Sequence, residues 1–117
     1  MRARVLPLFL LAILVAVLTC TGCTMPAIGD VRYEGGNYSV AIDNSGQLSG
    51  AYLQVTAFRL SGWSQEEYSV VYQPLTGGPG HTVVTIPAEL VPGRYRLFVY
   101  LLRDGTRETA VIRDIEV

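Results

Sequence analysis

The chain has 117 residues, half of them hydrophobic, and carries nine basic residues against ten acidic ones, so it has room for one small domain. Nucleic acids and anionic lipid surfaces are recognised through a basic stripe, and this near-neutral balance argues against both kinds of partner. The two cysteines, Cys20 and Cys23, lie at the end of an apolar N-terminal segment. The region beyond them has no disulfide, so its stability must come from packing.

The first 22 residues have the pattern of a signal peptide. Residues Met1–Arg4 include two arginines, and the apolar run Val5–Leu18 follows them. The run ends in Thr19–Thr24, TCTGCT, which resembles the processing site of bacterial lipoproteins, where small residues precede a cysteine that is acylated and becomes the new N-terminus. The resemblance implies export and a mature chain that begins at a palmitoylated Cys23. Thr24 is not the aspartate associated with inner-membrane retention, so the resemblance implies the outer membrane where the host has one, and otherwise the outer face of the cytoplasmic membrane.

Three other interpretations of this segment stay open. Cys20 occupies a position where lipoproteins usually carry an aliphatic residue, and it is itself an alternative acceptor, although Thr19 beside it suits the peptidase less well than Gly22 beside Cys23. The two cysteines also form a CxxC pair, but no second ligand pair follows for a zinc site. Finally, Val5–Gly29 has no charge and is long enough to span a bilayer with tilt as an uncleaved anchor.

From Val31 onward the sequence predicts strands rather than helices. Runs rich in β-formers recur about every ten residues between turns rich in Gly, Pro, Asn and Asp, which is typical of a sandwich or barrel. The clearest hairpin signal is Asp104-Gly105. The seven predicted strands are Val31–Glu34, Asn37–Asp43, Ala51–Leu60, Glu67–Gln73, Thr82–Ile86, Arg94–Arg103 and Arg107–Val117. We therefore predict a signal peptide at 1–22, a lipidated N-terminus and short linker at 23–30, and one all-β antiparallel sandwich at 31–117.

Alternation along two of these strands identifies the core. One side of the second strand carries Tyr38, Val40 and Ile42, and one side of the sixth carries Tyr95 and three aliphatic residues. The segment Leu90–Tyr95, LVPGRY, resembles the tyrosine corner of immunoglobulin-like sandwiches, in which a tyrosine hydroxyl bonds back to nearby backbone. With this segment and the earlier strand and turn at 38–46, YSVAIDNSG, residues 38–117 resemble bacterial immunoglobulin-like modules of the CARDB and fibronectin-type-III kind. The resemblance implies a seven-stranded immunoglobulin-like fold, a structural role for Tyr95, and an adhesive, spacer or assembly function.

The sequence is poor in catalytic groups. The single histidine, His81, follows a glycine-rich turn and has no cysteine or serine near it in sequence, so we expect an exposed loop residue. No serine lies in a GxSxG elbow. The adjacent acids Glu66 and Glu67 would face opposite sides of a strand and could not act together on one bond. We therefore expect no enzyme activity, no cofactor and no metal.

One strand carries large apolar groups on the side that faces away from the predicted core. On Arg94–Arg103 this side presents Phe98, Tyr100 and Leu102, which we predict to be an interaction surface. The alternative is the ordinary β-propensity of a partly solvated sheet. In a fibronectin-like order the third strand lies beside the sixth, and its expected contributions to the same surface are Tyr52, Thr56 and Phe58.

Together these features predict a membrane-tethered, non-enzymatic interaction or adhesion module of the cell envelope, whose partner is another envelope protein. The alternative function is carbohydrate binding, with Trp63, Tyr68 and Tyr72 as stacking platforms. If Trp63 has no such function, we expect it to close one end of the core.

Overall fold

The computed structural model describes residues 26–117, and all regular structure in this range is β-strand. The signal peptide, the acceptor Cys23 and most of the alternative anchor Val5–Gly29 lie outside the described residues. The seven strands are β1 (Ala27–Glu34), β2 (Asn37–Asn44), β3 (Ala51–Ser61), β4 (Ser64–Pro74), β5 (Gly80–Pro87), β6 (Arg94–Arg103) and β7 (Thr106–Glu116).

The strands form two antiparallel sheets, one with the order β1-β2-β5 and the other with the order β4-β3-β6-β7. Every neighbouring pair is antiparallel. The predicted all-β architecture with seven strands is confirmed, and so is the expected position of the third strand beside the sixth.

One core is shared by the two sheets. The three-stranded sheet contributes Tyr38, Val40 and Ile42, all fully buried. The four-stranded sheet contributes fully buried residues from the inner sides of β3 and β6, namely Leu53, Val55, Ala57, Tyr95, Leu97, Val99 and Leu101. Each large aliphatic side chain buried in this way stabilises the fold by about 1.5–3 kcal/mol relative to an exposed one. The inward sides that alternation predicts for β2 and β6 are therefore confirmed.

β1 begins at Ala27, four residues before the predicted start at Val31, so part of the predicted linker at 23–30 belongs to the sheet. Ile28 is buried and pairs with Ile42, and the register of β1 against β2 shifts between Ile28 and Val31. Such a bulge interrupts the alternation of inward and outward side chains. The two-residue period therefore identifies only the part of β1 that follows the bulge.

The antiparallel strands give the domain two ends. The near end is the one at which β1 begins, and it holds the turns at 45–50, 75–79 and 104–105. There the Leu48 N–H donates to the Gly77 carbonyl (3.0 Å) and the Leu75 N–H donates to the Ala51 carbonyl (2.8 Å), which joins the turns to one another. The far end holds the turns at 35–36 and 62–63, the connection at 88–93 and the C-terminal Val117.

The hairpin between β6 and β7 follows its sequence signal. Asp104 and Gly105 have φ values of 51° and 76°, so both central residues of the turn are left-handed. A two-residue turn of this kind matches the right-handed twist of the flanking strands, which is why Asp-Gly favours it. The predicted hairpin is confirmed.

Candidate interaction face

The register of the four-stranded sheet brings large apolar side chains together on its outer side. Phe98 of β6 lies opposite Thr56 of β3 and Ile112 of β7, while Tyr100 lies opposite Gln54 of β3. Directly opposite residues in an antiparallel pair point to the same side of the sheet. We call this surface the aromatic face, and its residues are Tyr52, Phe58, Tyr72, Phe98, Tyr100, Leu102 and Ile112.

Ring contacts hold the aromatic face together. Phe58 and Phe98 meet edge to face with ring centroids 5.2 Å apart, and Phe98 stacks on Tyr100 at 6.4 Å. Tyr52 and Tyr72 form a tilted pair at 6.3 Å. These separations lie in the favourable range for aromatic pairs, each of which contributes about 0.5–1.5 kcal/mol beyond its buried area. The rings therefore support one another in fixed positions.

The three residues predicted as an interaction surface, Phe98, Tyr100 and Leu102, are half-buried. Within residues 26–117 no strand packs over this side of the sheet, so the burial comes from neighbours in the same layer. Tyr72 and Ile112, at the two sides of the face, remain 61% and 55% exposed. The face is therefore a cluster of large apolar side chains that partly shelter one another, with Gln54 between Tyr72 and Tyr100 and Arg107 over the Tyr100 ring.

Charged groups surround the apolar centre. The Arg96 guanidinium donates two hydrogen bonds to the Asp114 carboxylate, at 2.8 and 3.1 Å, and this holds the pKa of Asp114 below its usual value. Arg107 lies over the Tyr100 ring, with its guanidinium carbon 4.0 Å from the centroid, which is a cation–π contact. The face thus combines an aromatic centre with a polar rim, the usual arrangement of a protein-binding surface.

Trp63 does not close the core, and this expectation was wrong. It lies at the tip of the β3–β4 hairpin and is fully exposed. The far end of the core is covered instead by the 88–93 connection. The Tyr33 side chain, which belongs to β1, holds this connection by two hydrogen bonds. The Tyr33 hydroxyl donates to the Ala88 carbonyl (2.7 Å) and accepts from the Leu90 N–H (3.0 Å).

The aromatics proposed for carbohydrate binding do not share a platform. Tyr72 lies on the aromatic face beside Tyr52, whereas Tyr68 packs edge-on against the buried Tyr95, 5.5 Å between centroids. Trp63 precedes Tyr72 by nine residues along an extended strand, a separation of about 30 Å at 3.3 Å per residue. A sugar chain would therefore meet these three rings separately.

Tyr95 makes the backbone contact that the corner segment predicts. Its ring is buried, and its hydroxyl donates to the carbonyl of Val91, four residues upstream, at 2.7 Å. Burial raises the pKa of Tyr95 above its ordinary value. The same effect raises the pKa of Tyr38, on the facing sheet, to about 12.

His81 lies on β5 rather than in a loop, on the outer side of the three-stranded sheet. It remains exposed, as expected, and its Nδ1 lies 2.8 Å from Oδ1 of Asp43. Ser39 lies on the same side of the sheet, four residues from Asp43 along β2. At the rise of a strand this separation is about 13 Å, which is too far for the Ser39 hydroxyl to act as a nucleophile with the His81–Asp43 pair. The depression beside His81 has a volume of about 450 Å³ and is lined by residues of β1, β2 and β5.

Among residues 26–117, no group of three or more His, Cys, Asp or Glu side chains lies close enough together to hold a metal ion. No helix in this range is long and apolar enough to cross a membrane.

No family model matches the chain, and no curated protein matches it either.

Proposed function

We propose that this protein is a membrane-tethered, non-enzymatic interaction module of the bacterial cell envelope. It carries a lipid on Cys23 and binds another envelope protein through the aromatic face. Its domain is of the immunoglobulin-like, fibronectin-type-III kind. Two features support this type: the strand orders β1-β2-β5 and β4-β3-β6-β7, and the Tyr95–Val91 hydrogen bond before the sixth strand.

The observation that carries the proposal is the continuity of the aromatic face. Isolated apolar residues are normal on protein surfaces, but contiguous apolar patches are rare and mark sites of interaction. Phe58, Phe98 and Tyr100 are in successive ring contact at its centre. Aromatic side chains dominate binding energy at interfaces because they bury much area and lose little conformational freedom.

The size of the face indicates what kind of partner it serves. Four strands spaced by about 4.8 Å, over about eight residues each, present a projected area on the order of 500 Å². Stable interfaces bury about 800 Å² on each partner, so the face by itself supports modest affinity. A partner held at the same membrane compensates, because tethering raises the effective concentration of one protein for the other. An envelope protein is therefore favoured over a freely diffusing one.

Site-specific photo-cross-linking in the native envelope tests the proposal. A photoreactive residue at Tyr72 samples the aromatic face, and one at Val83 samples the opposite sheet with nearly equal exposure, 61% and 58%. We expect a discrete protein adduct from position 72 that is absent from position 83 and from the Phe98→Ser/Tyr100→Ser background. The captured protein, once purified, should bind the wild-type domain and not the double variant. Equal adducts from both positions, or none from position 72, would contradict the proposal.

A further inference from the structure

The chain enters the fold at one defined end of the sandwich. Pro26 is buried, and Ile28 is buried and paired with Ile42, so the chain is fixed from the first described residues. Only Thr24, Met25 and Pro26 separate Cys23 from the start of β1 at Ala27. Four extended residue steps span at most about 14 Å.

The domain is longer than this reach. β3 has 11 residues, and the rise of about 3.3 Å between successive residues separates its first and last Cα atoms by about 33 Å, from the near end to the β3–β4 hairpin. A lipid on Cys23 therefore holds the near end at the bilayer, while the far end reaches the bilayer only if the domain lies down on one of its sheets.

Neither sheet presents a surface suited to lying on lipid. The outer side of the four-stranded sheet carries the exposed carboxylates of Glu67, Asp114 and Glu116 beside its aromatic residues. Arg94, Arg96 and Arg107 lie on the same side, so its charges nearly balance. The outer side of the three-stranded sheet carries the exposed Asp43, and Asp30 lines the same depression. Moving these charged groups toward the hydrocarbon is costly, and neither side carries the excess of basic residues that attracts anionic headgroups.

We propose that the domain stands on the membrane on its near end. The turns at 45–50, 75–79 and 104–105 rest on the phospholipid headgroups, and the hairpin that carries Trp63 is the part farthest from the bilayer. The aromatic face then stands upright above the membrane, exposed to partners that approach along its surface. This orientation rests on the proposed lipid anchor at Cys23.

Trp63 is the only tryptophan in the chain, so its fluorescence reports the far end directly. The matched reporter for the near end is Trp63→Phe combined with Gly46→Trp. A Cβ atom added at Gly46 meets no atom within 4 Å, and the backbone there is not left-handed. Both chains are purified in their mature form from host membranes and reconstituted into phosphatidylcholine and phosphatidylglycerol vesicles that carry a nitroxide on the headgroup.

We expect both chains to float with the vesicles, Trp63 to keep its emission, and the tryptophan at position 46 to lose most of its emission. Loss of Trp63 emission in floating protein would overturn the upright orientation while leaving the anchor intact. Retained emission at position 46 in floating protein would likewise show that the near end does not rest on the headgroups. Failure of the wild-type protein to float would instead refute the anchor, and the orientation with it.

Discussion

Phe58 on β3 and Phe98 on β6 meet edge to face, 5.2 Å between ring centroids, on the side of the sheet that points away from the core. Their contact joins two strands that the chain separates by more than thirty residues, and Tyr100 extends it along β6. The pair makes the centre of the aromatic face a single surface rather than a scatter of exposed side chains. Its removal should therefore affect binding more than folding.

Replacing Phe98 and Tyr100 together by serine should abolish the cross-linked species. The same change should lower the free energy of unfolding by only about 1–3 kcal/mol, which is the contribution of the lost ring pairs. The matched core variant is Leu97→Ala, adjacent on the same strand but fully buried, which should cost about 2–5 kcal/mol and spare binding when folded. Denaturant titration and cross-linking measure the two effects. If the double variant proves less stable than Leu97→Ala, the rings belong to the structural core.

Tyr95→Phe should lower the free energy of unfolding by about 1 kcal/mol or somewhat more, because the Val91 carbonyl loses its hydrogen-bond donor. Tyr72→Phe is the control, since Tyr72 is exposed and its change should be silent. The comparison is made from denaturant midpoints at constant slope. Equal midpoints for wild type and Tyr95→Phe would remove the structural role assigned to this hydroxyl.

Stability should fall in alkaline solution. The pKa of Tyr38 is raised by burial from 10.0 to about 12 and that of Tyr95 is raised in the same direction, so the folded state keeps protons that the unfolded state releases. The unfolded state then binds fewer protons, and the free energy of unfolding decreases with pH. The stability that Tyr38 contributes through this difference in pKa is fully present below pH 10 and is lost between about pH 10 and 12. The free energy of unfolding, measured by denaturant titration across this window, should decline steeply with pH, and less steeply in Tyr38→Phe. Identical slopes would contradict the assignment to Tyr38.

Cys23→Ala should accumulate unprocessed precursor and lose fatty-acid labelling, because the proposed lipid acceptor is absent. Cys20→Ala is the matched control and should be processed and labelled as wild type. Metabolic labelling with a palmitate analogue, followed by mass determination of the mature chain, measures both. Normal labelling of Cys23→Ala together with its loss in Cys20→Ala would move the acceptor site to Cys20.

Local patterns along the chain predicted much of the fold. The two-residue period at Tyr38, Val40 and Ile42 predicted which side of β2 is buried, and Asp104-Gly105 predicted a hairpin, since both signals act between residues close in sequence. The predicted leader and the predicted acceptor Cys23 likewise rest on the sequence alone, because a lipoprotein processing site is a local motif. Alternation failed at β1, where a bulge shifts the register between Ile28 and Val31.

Other features depend on contacts between distant parts of the chain, and only the tertiary structure determines them. The pairing of Tyr52 with Tyr72, and of His81 with Asp43, requires the register of neighbouring strands, which no local pattern contains. The exposure of Trp63 depends on how far the β3–β4 hairpin extends beyond the core, and Gly62 before it indicated only a turn. Alternation predicts that the Phe98 side chain points outward. Whether that side chain is isolated or belongs to a larger surface is determined by the strands on either side, because the residues of a sheet face come from several strands.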